Sequence, residues 1–295
     1  MMHVLNKDYV NTNGGMMMKK ILITFLMITL VASLLLTGCS GSGATKSSTE
    51  DTKPSQSDTS LEDIKKAGKF VVGLDDSFPP MGFRNEKDEI VGFDVDMAKE
   101  AAKRMGVEIE LKPIDWDSKV LELNGKKIDV IWNGLTITEE RKKEIAFTKP
   151  YLENRQIIVV AAGSDIKTKA DLAGKKVGVQ SGSSSMDALE KDEKTLKSLE
   201  EVVEFGNNTE ALMDLKIGRI DAVVVDEVVG RYYISKKPGE YTVLEDHFGS
   251  EEYGVGLRLG DQAFLSELQK VLDEMKKDGT SAKISKKWFG EDIVK

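Results

Sequence analysis

Three polar segments of the sequence carry side chains that can bind the charged groups of a small ligand. They occupy residues 74–80, 132–141 and 179–185. In the second segment, the guanidinium of Arg141 can pair with a carboxylate through two hydrogen bonds, and the Gly/Ser-rich third segment offers backbone N–H groups at a predicted helix start. Each pattern alone is weak, because Arg141 can instead form a surface ion pair with Glu140 or Glu144, and a Gly/Ser segment can be a plain turn.

Alternating strands and helices are predicted to position these segments. Apolar runs predict strands near residues 70–72, 107–111, 128–132, 157–161, 176–180, 202–205 and 222–225. Helical spacing predicts helices between the strands, one of them capped by Thr138, and a last helix with a core face from Phe264 to Met275. This alternation is typical of parallel sheets flanked by helices, and the three polar segments follow strands at the edge where such sheets bind ligands.

The N-terminal part has the pattern of an export signal. Two lysines precede an apolar stretch at residues 21–36, which is short for a membrane span of about 20 residues. The stretch ends in Leu-Thr-Gly followed by Cys39, which resembles the lipobox of bacterial lipoproteins. The resemblance implies cleavage after residue 38 and a diacylglycerol thioether on Cys39. Residues 39–60 contain one Ala and no other apolar side chain after the cysteine, so a flexible tether is predicted there.

Composition excludes several functions. Without residues 1–38 the chain keeps 39 basic and 49 acidic residues, a net charge of −10, which disfavours nucleic acid and anionic lipid headgroups as partners. Its single cysteine precludes an internal disulfide. The only histidines are His3 and His247, so we expect no His/Cys metal site, no cofactor and no catalytic triad that uses His or Cys.

The order of the motifs resembles one family. Together with the three polar segments, Gly92-Phe-Asp-Val-Asp, residues 136–151 and Lys287-Trp-Phe-Gly resemble the polar amino-acid solute-binding proteins of bacterial ABC importers. The resemblance spans residues 61–290. It implies an α/β fold of two lobes, each a mostly parallel sheet flanked by helices, joined by two hinge strands with the amino acid between them. We expect lobe 1 at residues 61–155 and 250–295 and lobe 2 at residues 156–249.

The resemblance also implies which residues bind the amino acid. The ten positions are Asp75, Phe78, Trp116, Asn133, Gly134, Thr136, Arg141, Gln180, Ser184 and Asp226. Arg141 corresponds to the family's carboxylate-binding arginine, supported by a backbone N–H at Ser184. Asp226 corresponds to the ammonium-binding aspartate, although it can instead be a helix N-cap.

The remaining positions complete the implied site. Thr136 and Gly134 hold the carboxylate and the ammonium through a hydroxyl and a backbone carbonyl. Asp75 contacts the ligand's side chain, and Asn133 and Gln180 bear on specificity. Two aromatic side chains, Phe78 and Trp116, line the side-chain slot, with ordinary core packing as the alternative.

The resulting hypothesis is a monomeric, lipid-anchored, extracytoplasmic receptor that passes a polar L-amino acid to importer permease subunits. A zwitterion needs a fixed cation and a fixed anion because both of its charges are costly to desolvate unpaired. The rival hypothesis is a cleft enzyme on the same fold, such as a cyclohexadienyl dehydratase, for which Asp75 is the obvious acid or base. A sensor domain would normally need a transmembrane segment. Whether the amino acid is cationic, glutamine-like or cystine stays open.

Overall fold

The structure, a computed structural model, describes residues 58–295, and its first sheet has five strands. These strands are β1 (Lys69–Leu74), β5 (Glu108–Pro113), β6 (Val130–Ile131), β7 (Ile145–Phe147) and β13 (Gly256–Arg258), in the order β5-β1-β6-β13-β7. Strand β1 pairs in parallel with β5 and β6, and β13 pairs antiparallel with β6 and β7. Four of the five strands therefore point the same way.

The second sheet repeats this plan. Its strands are β8 (Leu152–Ala161), β9 (Lys176–Gln180), β10 (Glu201–Phe205), β11 (Ala222–Asp226) and β12 (Tyr241–Tyr253), in the order β10-β9-β11-β8-β12. Strand β9 is parallel to β10 and β11, whereas β8 is antiparallel to β11 and β12. The prediction of two mostly parallel sheets is confirmed.

The helices of the described residues cover both sheets. They are α1 (Ser60–Ala67), α2 (Phe93–Met105), α3 (Lys119–Asn124), α4 (Ser184–Lys191), α5 (Glu193–Ser198), α6 (Asn208–Lys216), α7 (Glu227–Lys236), α8 (Gln262–Lys277) and α9 (Thr280–Phe289). The predicted core face of α8 is buried from Phe264 to Met275, and the Phe264 ring lies 5.4 Å from that of Phe70 in β1. Helix α2 ends at Gly106 with φ +73°, a left-handed conformation that glycine adopts without steric cost.

Two long neighbouring strands connect the lobes, which we define as the two sheets with their helices. In β8 and β12, Leu152 pairs with Tyr253 and Asn154 with Glu251. Tyr253 also bridges to Thr136 at the edge of the first sheet, so this end of β12 reaches both lobes. The predicted lobe boundaries at residues 155/156 and 249/250 fall within β8 and β12 and stay predictions.

Local departures from the predicted elements are small. A three-stranded sheet of β2 (Ser77–Phe78), β3 (Gly82–Arg84) and β4 (Ile90–Val91) adjoins the first lobe. The helix predicted after Thr138 is wrong: it is a single 3₁₀ turn at Arg141–Lys143. The chain leaves that turn at Ile145 because β7 pairs with β13. Within residues 58–295, no helix combines the length and the apolar character that a membrane span requires.

Candidate functional site

All ten positions predicted to bind a ligand are buried, and four of them lie at the ends of strands. Asp75 follows β1, Asn133 follows β6, Gln180 ends β9 and Asp226 ends β11. The four positions belong to both sheets, two from each. Hydrogen bonds between the lobes, described below, bring the two groups together.

Arg141 is directed between the lobes. Its Nη1 donates to the carbonyl of Thr136 at 2.9 Å, and its Nη2 donates to the carbonyl of Gly182 in the second lobe at 3.2 Å. Burial lowers the pKa of Arg141 from its ordinary value, and the carboxylate of Asp187, 3.9 Å from Nη2, opposes that shift. Since the side chain is buried and the ion pair recorded for it is with Asp187 rather than Glu140 or Glu144, the surface-pair alternative is wrong.

Thr136 and Ser184 meet across the cleft. Their hydroxyl oxygens lie 2.9 Å apart, one from each lobe. Gly134, close by, has φ +58°, and a Cβ there would lie 3.0 Å from the Phe78 ring. The N–H of Gly134 donates to Asp94 Oδ2 at 2.7 Å. The role predicted for the Gly134 carbonyl stays a prediction.

Asp226 is held as an acceptor inside the cleft. Its Oδ1 accepts from Asn154 Nδ2 at 2.7 Å, Gln156 Nε2 at 2.9 Å and Tyr253 Oη at 2.6 Å. Burial and the negative charge of Glu251 raise the pKa of Asp226 to about 8. Although Asp226 precedes helix α7, its side chain makes no capping hydrogen bond, so the N-cap alternative does not explain the residue.

Asp75 and Gln180 form a second contact between the lobes. Gln180 Nε2 donates to Asp75 Oδ2 at 2.7 Å, and Asp75 Oδ1 accepts from the Ser77 hydroxyl at 2.6 Å. Burial raises the pKa of Asp75, and its hydrogen bonds oppose that shift. Asn133 Oδ1 accepts the backbone N–H of Asp75 at 3.1 Å. The two residues predicted to govern specificity therefore both contact Asp75.

The two aromatic positions are buried in different hydrophobic clusters. Phe78 packs in the large cluster that contains Phe93, and Trp116 packs beside Leu123 and Ile128. Core packing accounts for their burial, so their role as walls of the side-chain slot stays a prediction.

Three functional candidates escaped the sequence reasoning: Asp94, Lys119 and Glu251. Lys119 is buried, and its Nζ donates to the carbonyls of Trp116 at 3.0 Å and Gly182 at 2.7 Å. Burial, with the positive charge of Arg141 as a smaller cause, lowers the pKa of Lys119 to about 7. Two lobe 1 cations, Lys119 and Arg141, thus share one carbonyl of lobe 2.

Asp94 hydrogen-bonds to the backbone of the candidate site. Its Oδ2 accepts from the Gly134 N–H and, at 2.9 Å, from the hydroxyl of Tyr151. Burial raises the pKa of Asp94 to about 7. The Gly92-Phe-Asp-Val-Asp motif was the available sequence signal, and its structural meaning is this bond to the ligand-site backbone.

Glu251 lies at the centre of the cleft on β12. Four donor groups lie within 3.2 Å of its Oε1, namely Thr136 Oγ1, Asn154 Nδ2, Gln156 Nε2 and Ser184 Oγ. No sequence signal marked it, because it sits in a Ser-Glu-Glu-Tyr run that reads as solvent-exposed. Among residues 58–295, no group of three or more His, Cys, Asp and Glu is arranged to hold a metal ion.

Comparison with known proteins finds a matching family model and similar binding proteins. Residues 70–291 match the family model described as bacterial extracellular solute-binding proteins, family 3. The L-cystine-binding protein TcyJ of Escherichia coli K12 is 36% identical over 237 residues, 80% of this chain and 88% of that protein. The ABC transporter glutamine-binding protein GlnH of Bacillus subtilis 168 is 36% identical over 280 residues, 93% of this chain and 99% of that protein.

A solved structure supports the same assignment. The substrate-binding protein of an ABC uptake transporter from Streptococcus pneumoniae, determined with bound histidine, superposes with a TM-score of 0.77 at 34% identity. The match covers 80% of this chain and 98% of that one.

Proposed function

Because the chain belongs to family 3 of the bacterial extracellular solute-binding proteins, we propose that it binds a polar L-α-amino acid between its lobes and delivers it to an ABC importer. One observation carries the proposal. A buried cation, Arg141, and a buried carboxyl group, Asp226, face the same cleft from different lobes. The named relatives bind cystine, glutamine or histidine, so the amino acid is the shared feature.

The charge arrangement explains why an amino acid suits this cleft. Its carboxylate can replace the carbonyl oxygens as the partner of the Arg141 guanidinium, since a charged acceptor binds more strongly than a neutral one. Its ammonium can neutralise Asp226. Both charges of the ligand are then paired in a site that excludes water.

Closure of the lobes follows from the same contacts. The bonds Thr136–Ser184, Arg141–Gly182 and Asp75–Gln180 each join one lobe to the other. A ligand that contacts residues of both lobes binds the closed form more tightly than the open form. It therefore shifts the population towards the closed form. A transporter can then distinguish the loaded receptor by its shape.

A thermal-shift screen tests the proposal. The twenty amino acids plus ornithine and cystine are each added to protein that has been unfolded, washed free of co-purified ligand and refolded. At about 100-fold excess over the dissociation constant, a binding amino acid adds about 2.7 kcal/mol of stability. If no amino acid raises the melting temperature, the proposed function is wrong.

The enzyme hypothesis makes a different prediction for the same cleft. A dehydratase needs a group that gives and takes a proton, and Asp75, with its raised pKa, is the candidate. The receptor hypothesis predicts that prephenate is not consumed. Measurable turnover of prephenate that is lost in Asp75→Asn would favour the enzyme hypothesis over the receptor hypothesis.

We further propose that the receptor is exported and held to the membrane by lipid on Cys39. This residue lies outside the described residues, and the support is the lipobox-like sequence before it. Cys39→Ser should shift the protein from the detergent phase to the aqueous phase, while the chain from Ser60 onward binds with unchanged affinity. A Cys39→Ser protein that stays in the detergent phase would refute the lipid anchor.

A further inference from the structure

Glu251 brings a second carboxyl group next to the proposed ammonium site. The amide Nδ2 of Asn154 lies 2.7 Å from Asp226 Oδ1 and 2.7 Å from Glu251 Oε1. The amide Nε2 of Gln156 lies 2.9 Å from the first oxygen and 2.7 Å from the second. Two amide groups of β8 therefore bridge the same two carboxyl groups, which lie on the strands to either side of β8, Asp226 on β11 and Glu251 on β12.

The charges around this pair do not balance when both groups are ionised. Tyr253 Oη donates to Asp226, but burial raises its pKa well above the ordinary value, so it stays neutral. Arg141 is the cation that acts on both carboxyl groups, and the proposed function commits it to the ligand's carboxylate.

Neighbouring charged residues are engaged elsewhere. Arg155 Nη2 and Glu227 Oε1 form their own ion pair at 2.5 Å beside the cleft. Asp187 faces Arg141. With these groups occupied, one net negative charge of the carboxyl pair has no cation among residues 58–295 in the ligand-free site.

We propose that Glu251 is a further ligand-binding residue: in the ligand-free protein Asp226 is protonated beside the carboxyl group of Glu251, and the ammonium group of the amino acid takes the place of that proton between the two groups. The inference rests on the proposed function and adds a residue and a proton to it. No covalent bond changes. The proton passes to solvent as the ammonium binds, so each binding event releases about one proton while the pair is protonated.

The position of Glu251 on β12 fits this role and supplies a matched control. Successive side chains of a strand face opposite sides. Glu251 points into the cleft, whereas the next residue, Glu252, forms an ion pair with Lys295 at the surface. Glu252→Gln thus removes the same charge from the same strand without touching the carboxyl pair.

Calorimetry measures the released proton. Whichever of L-glutamine, L-arginine and L-cystine stabilises the protein is titrated at pH 6.5 in two buffers that differ in ionisation enthalpy. Wild type and Glu252→Gln should release close to one proton, and Glu251→Gln should release less, because loss of the Glu251 charge removes one of the two causes that raise the pKa of Asp226. Comparing the variants cancels any ionisation of the amino acid itself.

Affinity should follow the same pattern. Release of one proton strengthens wild-type binding about tenfold per pH unit between pH 6 and 7, below the pKa of about 8 of Asp226. Glu251→Gln should bind about tenfold or more weakly at pH 8, because a contact to the charged ammonium is lost, and its affinity should rise less steeply than that of wild type between pH 6 and 7. The glutamine oxygen can still accept from the donors around residue 251, which favours folding of the variant.

Infrared spectroscopy gives a readout that needs no ligand. At pH 7 the ligand-free wild type should show a protonated-carboxyl band that Glu251→Gln reduces and Glu252→Gln does not. If Glu251→Gln keeps the band, the proton release and the affinity of wild type, Glu251 is only a structural part of β12 and the inference is wrong. If none of the three stabilises wild type, the calorimetry uses whichever other amino acid of the thermal-shift screen does. If no amino acid of that screen stabilises wild type, the proposed function fails, and the infrared comparison still decides whether Glu251 favours a proton on Asp226.

Discussion

Substitution of Lys119 by methionine should change how stability depends on pH. Lys119 is buried, with a folded-state pKa of about 7 against an ordinary value of 10.5. Between these values the unfolded chain binds more protons than the folded chain, so the free energy of unfolding rises with pH. Lys119 therefore opposes folding most below pH 7, and this unfavourable contribution disappears as the pH rises from 7 towards 10.5.

The magnitude follows from the two pKa values. From pH 7 to pH 9 the lysine should add about 2 kcal/mol to the free energy of unfolding, given 1.36 kcal/mol for each pKa unit and half-protonation of the folded state at pH 7. Methionine has a similar length, fills the site and does not titrate. Between pH 7 and pH 9 the free energy of unfolding of wild type should thus rise by about 2 kcal/mol more than that of Lys119→Met, whatever the difference between the two proteins is at pH 7.

Urea denaturation of ligand-free protein at pH 7 and pH 9 measures this difference. Lys127→Met is the control, because Lys127 is an exposed lysine that pairs with Glu122 at the surface. Its difference from wild type should be nearly the same at both pH values. If Lys119→Met also keeps a constant difference, within about 0.5 kcal/mol, burial does not perturb Lys119 and the reasoning fails.

Substitutions at three further positions test the site. Arg141→Ala should weaken amino-acid binding by about 2–5 kcal/mol in calorimetry, with only partial recovery in Arg141→Lys, since an ammonium cannot form the two parallel bonds; binding within twofold of wild type would remove Arg141 from the site. Asp94→Asn should gain about 2–3 kcal/mol over wild type between pH 5 and 8 in urea denaturation, because the raised pKa of about 7 makes the stabilising contribution of Asp94 fade as pH rises through that value; a constant difference would contradict this. Gly134→Ala should lower the melting temperature, since φ is +58° and a Cβ would lie 3.0 Å from Phe78 and 3.2 Å from Tyr253; an unchanged melting temperature would show that the turn relaxes freely.

The sequence predicted the framework well because apolar periodicity and strand ends are local signals. Strands β1, β6 and β9 appear where apolar runs placed them, and the polar segments after them meet in the cleft. The resemblance to a family added roles for Arg141 and Asp226, which local pattern alone left ambiguous. The helix after Thr138 was predicted wrongly because pairing of the following strand β7 overrides the local preference.

Glu251 and Lys119 could not be predicted, for a physical reason. Glu251 lies next to another glutamate, and Lys119 lies on a helix whose sequence looks solvent-exposed. Charged residues in such contexts are usually exposed. The burial of Lys119 and the position of Glu251 in the cleft depend on contacts between the lobes, Lys119 with Gly182 and Glu251 with Thr136, which join positions 63 and 115 residues apart in the chain. Contacts between residues so far apart in the chain leave no pattern in the local sequence.

The strand order of the first sheet has a consequence for synthesis. Strand β13, at residues 256–258, lies between β6 and β7, which the ribosome makes more than 100 residues earlier. In the second sheet, β8 to β11 form a continuous block from residue 152 to 226. Since contacts between distant residues form late, lobe 2 can assemble while the chain is still emerging, whereas β7 has no neighbour in its sheet until the C-terminal part arrives. Lobe 1 is therefore the part that must remain unfinished, with an exposed apolar strand, until the whole chain has been delivered.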